Sequence, residues 1–314
     1  MNDQSSAIAV HDLVKRFGDF TAVDHISFEA HRGEILGFLG PNGSGKTTTI
    51  RMTLGLLKPT SGAIEILGVR VDSDTSRIRP RIGYMSQRFS LYNDLTVAQN
   101  LNFYGAAYGL SNALLKERIG QALEATGLRG REGTKTKDLS GGWRQRLALS
   151  AATLHHPEVL FLDEPTAGVD PISRRAFWDA LYRFVAEGTT VFVTTHYMDE
   201  AEHCHRLAFI QHGRLIAYGA PAEIKRDMMH SQVLEIEPSD PSRAMTVLRA
   251  GIQSGELPIE QVELYGSLVH VVAPDAGRVQ STIGAALQKA GLTTGQMSII
   301  EPSLEDVFIS ALKG

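Results

Sequence analysis

The run Gly40-Pro41-Asn42-Gly43-Ser44-Gly45-Lys46-Thr47 has the residue types and spacing needed to hold a chain of phosphates. It follows GEILGFLG, an apolar run that stops at glycine, and precedes TTTIRMTLGLL, whose apolar residues recur at helical spacing. A buried strand would enter the loop and a helix would leave it. Glycines let backbone N–H groups turn inward around phosphate oxygens, and a helix N-terminus adds a favourable dipole. Lys46 would then reach the β- and γ-phosphates, and the Thr47 hydroxyl would ligate Mg2+. A second acidic feature completes the chemistry. VLFLDEP closes an apolar run on Asp163, placed to organise Mg2+, and Glu164, one step on, could polarise a water for attack on the γ-phosphate. An acidic strand end is common by itself; the phosphate loop in the same chain gives this one its meaning.

The elements that must position these groups are legible as periodic runs. AIAVHDLVKRF and AVDHISFEA alternate apolar and polar residues, as half-buried antiparallel strands do. LTVAQNLNFYGAAYGL, ALLKERIGQALEATGL and WRQRLALSAATLHH make residues ~90–155 mostly helical. VLFLDEP and TTVFVTTH flank the helix SRRAFWDALYRFVAEG, and strand–helix–strand in that order implies a parallel sheet. LAFIQHGRLIAYG reads as two strands around His212-Gly213. Beyond about residue 225 the order becomes strand, helix, strand, turn, strand, helix, strand, then a last helix, SLEDVFISALK. That is a βαββαβ pattern, the split arrangement of a ferredoxin-like fold. The expected domains are therefore 1–224 and 225–314, with a helical subdomain at about 90–155.

Composition sets the surroundings. Of 314 residues 43% are hydrophobic and 21% charged, with a net charge of -4, which gives no support to nucleic-acid binding. A single cysteine, Cys204, rules out an intrachain disulfide and fits a reducing cytosol. The N-terminal residues have neither the basic nor the apolar region of a signal peptide, and no apolar run approaches the ~18 residues of a membrane span. Work at a membrane would require a partner.

Taken together, the motifs resemble those of the ATP-binding cassette family, over residues ~8–225 and in the family's order. Leu139-Ser140-Gly141-Gly142-Trp143-Arg144-Gln145-Arg146 is similar to the signature sequence, Gly83-Tyr84-Met85-Ser86-Gln87 to the Q-loop, Ala167-Gly168-Val169-Asp170 to the D-loop, and Thr194-Thr195-His196 to the switch-histidine strand. The resemblance implies a P-loop NTPase (RecA-like) α/β core with an antiparallel β subdomain and a helical subdomain. It implies an ATPase whose head-to-tail dimer sandwiches two ATP molecules with Mg2+. ATP would be held by Gly40, Asn42, Gly43, Gly45, Lys46, Thr47 and Thr48, with Thr47 and Asp163 at the metal and Gln87 at the metal or the attacking water. Ser140 and Gly142 would bind the γ-phosphate held by the other subunit. Gln87 would also sense a membrane partner, His196 would stabilise charge on the γ-phosphate, and Asp170 would link the two sites. Phe17 takes the place of the aromatic that stacks on adenine, with Phe20 its nearby competitor. The signature's fifth position, where glutamine is usual, holds Trp143, and Gln99 stands where glutamate is common.

TTHYMDEAE and the tail Pro302-Ser303-Leu304-Glu305-Asp306-Val307-Phe308 resemble bacterial drug and antibiotic exporters of the daunorubicin type. That implies a transmembrane permease supplied by separate chains and a peripheral position on the cytoplasmic face of the bacterial inner membrane. Import motors with C-terminal extensions often carry an OB-like fold, which the βαββαβ order does not resemble. Ribosome-acting members usually carry two cassettes, and DNA-repair members insert long coiled coils that this chain has no room for. His203-Cys204-His205 is read as a helix end rather than a metal site, because consecutive residues splay about 100° apart. Arg77, Arg79 and Arg81 read as a solvated loop. The apolar stripe Leu304, Val307 and Phe308 would pack the last helix on the small domain or contribute to a dimer contact.

Overall fold

The computed structural model describes residues 5–71, 75–87 and 90–313. Contacts divide the chain into two compact units, Met1–Pro221 and Ala222–Gly314. The first begins with an antiparallel ribbon, β1 (Ser6–Phe17) and β2 (Phe20–His31), followed by β3 (Ile35–Leu39), α1 (Lys46–Thr53), β4 (Ser61–Ile66), β5 (Val69–Arg70) and β6 (Ile82–Met85). Three helices follow, α2 (Val97–Ala107), α3 (Asn112–Ala125) and α4 (Gly141–Thr153), then β7 (Val159–Asp163), α5 (Pro171–Ala186), β8 (Thr190–Thr195), α6 (Met198–Ala201), β9 (Arg206–Gln211) and β10 (Arg214–Gly219). The helix α7 (Pro221–Met228) begins at the division between the units.

Two sheets build the first unit. One has the order β2-β1-β4-β5 and the other β10-β9-β3-β8-β7-β6. In the second, β3, β6, β7, β8 and β9 run parallel and only β10 turns back against β9. The parallel strands are buried over their whole length in β3, β7 and β8, as strands covered on both faces must be. Phe28, Phe38, Phe161 and Phe192 meet in the core with ring centroids 5.2–5.8 Å apart. The helices α2–α4 have a core of their own, centred on Val97, Leu101, Leu123, Leu128 and Leu147.

Two sequence expectations, for β1 and for Arg81, need correction. β1 is not a half-buried alternating strand: Ala7 to Val10 are all buried, so both faces of the strand are covered there, and its pairing slips past Asp12, which adopts φ 47°. His203, Cys204 and His205 lie at the end of α6, in the turn that closes it. His203 stacks on Trp178, Cys204 is buried, and His205 accepts a hydrogen bond from the Ile35 N–H at 3.1 Å. Burial pushes the Cys204 thiol pKa far up, so it is an inert packing group. Arg81 is not freely solvated, since it forks onto Glu158 at 2.5 and 2.9 Å.

The second unit contains β11 (Gln232–Pro238), α8 (Pro241–Ser254), β12 (Gln261–Tyr265), β13 (Leu268–Ala273), α9 (Ala276–Lys289), β14 (Thr294–Ile300) and α10 (Leu304–Lys313). Its sheet has the order β12-β13-β11-β14 and is antiparallel throughout. Asp240 and Asp275 cap α8 and α9, each accepting from a backbone N–H three residues on, and Pro241 occupies the first turn of α8. Leu234, Ile236, Leu248, Val271, Ile283 and Leu287 form the core.

Candidate active site

The ends of β3, β7 and β8 converge, because parallel pairing aligns Leu39 with Thr195 and Asp163 with Thr194. Beyond β3 the chain turns through Gly40, Gly43 and Gly45, at φ 157°, 80° and 114°. A side chain at Gly45 would meet the Ala22 carbonyl at 2.7 Å, and one at Gly40 would strike that of Ile210. Only glycine fits at either position. The helix α1 then starts with no side-chain cap and no acidic residue in its first turn, so its N–H groups are left for an anion. The Ser44 hydroxyl is buried and has no hydrogen-bond partner. Thr48 is half-buried on α1, and Asn42 is exposed on the loop.

Lys46 is 4% exposed. Its ammonium donates to the carbonyls of Gly40 at 2.8 Å and Pro41 at 3.3 Å, and lies 3.2 Å from Glu164 Oε1. The Thr47 hydroxyl donates to Asp163 Oδ1 at 3.2 Å, and that oxygen also accepts from Thr194 Oγ1 at 2.8 Å. Burial raises the Asp163 pKa above the usual carboxylate range, against the two threonine hydroxyls that favour its charge. Glu164 is the hub. Its other oxygen accepts from Gln87 Nε2 at 2.9 Å and stands 3.4 Å from His196 Nδ1. Its backbone sits at φ 47°, a conformation that costs a side-chain-bearing residue about 1–2 kcal/mol. The Glu164 N–H is held by the carbonyl and hydroxyl oxygens of Thr194, which fixes the strained turn.

Lys46, Thr47, Gln87, Asp163, Glu164 and His196 thus form one cluster. The remaining expected residues stand elsewhere. Ser140 is the exposed N-cap of α4 with no cap hydrogen bond, and Gly142 packs so closely that a side chain there would meet Ser173 Oγ at 2.5 Å. Asp170 caps α5 by accepting from the Ser173 N–H at 2.9 Å. Phe17 and Phe20 face each other across the β1–β2 turn, 50% and 63% exposed, and Lys15 Nζ lies 5.0 Å from the Phe17 ring. Two residues escaped sequence reasoning. Thr194 holds both acids in place, and Gln145, buried in α4, donates to the Pro165 carbonyl at 2.8 Å. The signal for Gln145 was a polar side chain inside an apolar helical stripe; for Thr194 there was none beyond its neighbour His196.

The family model described as ABC transporter matches residues 23–167. A Nod factor export ATP-binding protein I from Ralstonia nicotianae is 35% identical over 303 residues, which cover 96% of this chain and 92% of that one. The chain belongs to the ABC transporter ATP-binding family. A probable multidrug ABC transporter ATP-binding protein, YbhF of Escherichia coli K12, is 49% identical over 220 residues, or 70% of this chain; the chain spans only 38% of that relative's length. Among solved structures, a dimeric post-hydrolysis state of an ATP-binding cassette bound to ADP and Pi superposes with a TM-score of 0.62 at 26% identity, covering 68% of this ABC chain and 98% of that one. Among the described residues no helix is long and apolar enough to cross a membrane.

Proposed function

We propose that this chain is the ATP-hydrolysing motor of a membrane exporter. The observation that carries the chemistry is Glu164, buried on a strained backbone at the end of β7 and ringed by Lys46, Gln87 and His196. Gly40, Asn42, Gly43, Gly45, Lys46, Thr47 and Thr48 cradle the triphosphate, and the unpartnered Ser44 hydroxyl faces the same use. Lys46 exchanges Glu164 for phosphate oxygen, which frees Glu164 to take a proton from the attacking water. Gln87 orients that water and His196 steadies charge developing on the γ-phosphate. Thr47 and Asp163, already in contact and together offering a hydroxyl and a carboxylate, suit a small hard cation, with Gln87 completing the site. Bound Mg2+ would supply charge neutralisation for the phosphates.

Phe17, exposed at its hairpin, stacks on adenine. The uncapped α4 N-terminus at Ser140 and Gly142 serves the ATP held by a second copy, and Asp170 links the sites across a head-to-tail dimer. The dimeric cassette structure named above supports that assembly. The second unit, from about residue 225, is ferredoxin-like, a reading supported by its order β12-β13-β11-β14. The export-protein names of the relatives support outward transport through a separate permease, with this chain peripheral at the cytoplasmic membrane face. Affinity purification from membranes in mild detergent tests the reading. Co-purification of a polytopic membrane protein is expected; recovery of ribosomes or DNA-repair factors in its place would sink the exporter assignment.

A further inference from the structure

The first turn of α4 is built against its own stability. It opens on Gly141 and Gly142, and glycine is the poorest helix former except proline. Ser140 makes no cap hydrogen bond, and no acidic residue stands in the first turn. Capping Ser140 to its own helix would consume the hydroxyl and N–H groups that the proposed function needs for phosphate. The Gly142 position admits no larger residue, because Ser173 closes over it. Support must come from a side chain that leaves the helix N–H groups free.

Trp143 meets that requirement. It is the first large residue of α4 and packs, half-buried, against the Val97–Leu101–Leu147 core of the three-helix region. Two guanidinium groups lie over its ring, Arg131 at 4.2 Å and Arg146 at 4.8 Å from the centroid. Arg131 belongs to the segment between α3 and α4, and Arg146 is one turn along α4 and reaches the Thr126 carbonyl at 3.3 Å. The indole therefore ties the first turn of α4 to the 126–131 segment. We infer that Trp143 is a positioning residue for the signature turn: it holds Ser140 and the Gly141 and Gly142 N–H groups in helical register for phosphate bound by a second copy. The inference rests on the trans role proposed for Ser140. A glutamine at this position would lack the ring on which the two arginines stack.

The test compares the 314-residue chain with Trp143→Ala, Trp143→Phe, Arg131→Met and Ser140→Arg. Hydrogen exchange reads the order of residues 141–147, and steady-state ATPase assays read turnover at saturating ATP. Equilibrium binding of ATP to the dilute protein reads the P-loop alone. In Trp143→Ala, exchange over 141–147 should rise about tenfold and turnover fall about tenfold, with ATP binding within about twofold of the parent. Trp143→Phe should recover most of both. Arg131→Met, a surface change, should lose less in the same direction, and it keeps the test alive if the alanine variant misfolds. Unchanged exchange in Trp143→Ala, or raised exchange with undiminished turnover, overturns the inference. Full turnover in Ser140→Arg is a separate failure: it refutes the trans role itself and reduces Trp143 to packing.

Discussion

Asp163 and Asp306 are both 2% exposed, yet their surroundings push them in opposite directions. Asp306 opens α10 and is saturated by its own chain. It accepts from the Ser303 N–H at 2.9 Å and Ser303 hydroxyl at 2.7 Å, and pairs with His270 at 3.1 Å. Burial alone would raise its pKa, but His270 and Ser303 outweigh burial and hold it below the usual carboxylate range. His270 completes the joint. Its other ring nitrogen is 3.3 Å from Glu235, and Tyr265 stacks on it at 4.3 Å. Asp163 has two hydroxyls and an acidic neighbour, so burial wins and its charge is disfavoured. A buried carboxylate that its chain satisfies is a structural joint. One that its chain leaves short of positive charge is a place for a ligand to supply it.

The largest effect is expected at Glu164. Glu164→Gln should cut ATP turnover by about 10²–10³-fold while keeping ATP binding, and should accumulate an ATP-bound dimer on size exclusion. Hydrolysis near the parent rate would remove Glu164 as the base. The next largest effect separates the two aspartates. Asp306→Ala removes one of the two carboxylates that hold the buried His270 and should destabilise the second unit by about 3 kcal/mol in urea unfolding, with ATP affinity unchanged. Asp163→Asn should leave the melting temperature measured without nucleotide undiminished and still abolish turnover. If both variants lose equal stability, the distinction between joint and site fails.

The smallest effect is in pH. Burial works against charge on His270, but Asp306 and Glu235 overcome it and leave the pKa raised above its ordinary 6.5. Its contribution is fully present below pH 6.5 and is lost as pH climbs through the raised value. Asp306 behaves oppositely, its contribution vanishing only in acid as pH falls through the lowered value. Exchange protection of α10 should therefore decline on the alkaline side, by at most about 1.4 kcal/mol per pH unit for one proton. Glu263, paired across the sheet with His270, is held by Arg249 at 3.5 Å. His270→Gln should flatten the alkaline slope; an unchanged slope would assign it to another group.

What could be read without coordinates was contiguous. The P-loop, the strand ending at Asp163 and the run of strands and helices from β11 to α10 each lie within a short stretch, where periodicity and turn residues act locally. Trp143 appeared there only as a departure from the usual glutamine. The arginines that give it a setting lie 12 residues before it, across a loop, and one turn after it. His270 and Asp306, 36 residues apart, carried no sequence signal of partnership.

Which residues could carry phosphate chemistry, and which strands and helices would present them, follows from amino-acid order, because those properties depend on neighbours a few positions away. Folding in three dimensions is what sets Glu164 at φ 47°, lets Thr194 fix it, and surrounds it with Lys46, Gln87 and His196. Those contacts bridge 30 to 118 positions, and the parallel alignment of β3, β7 and β8 is what brings them within reach.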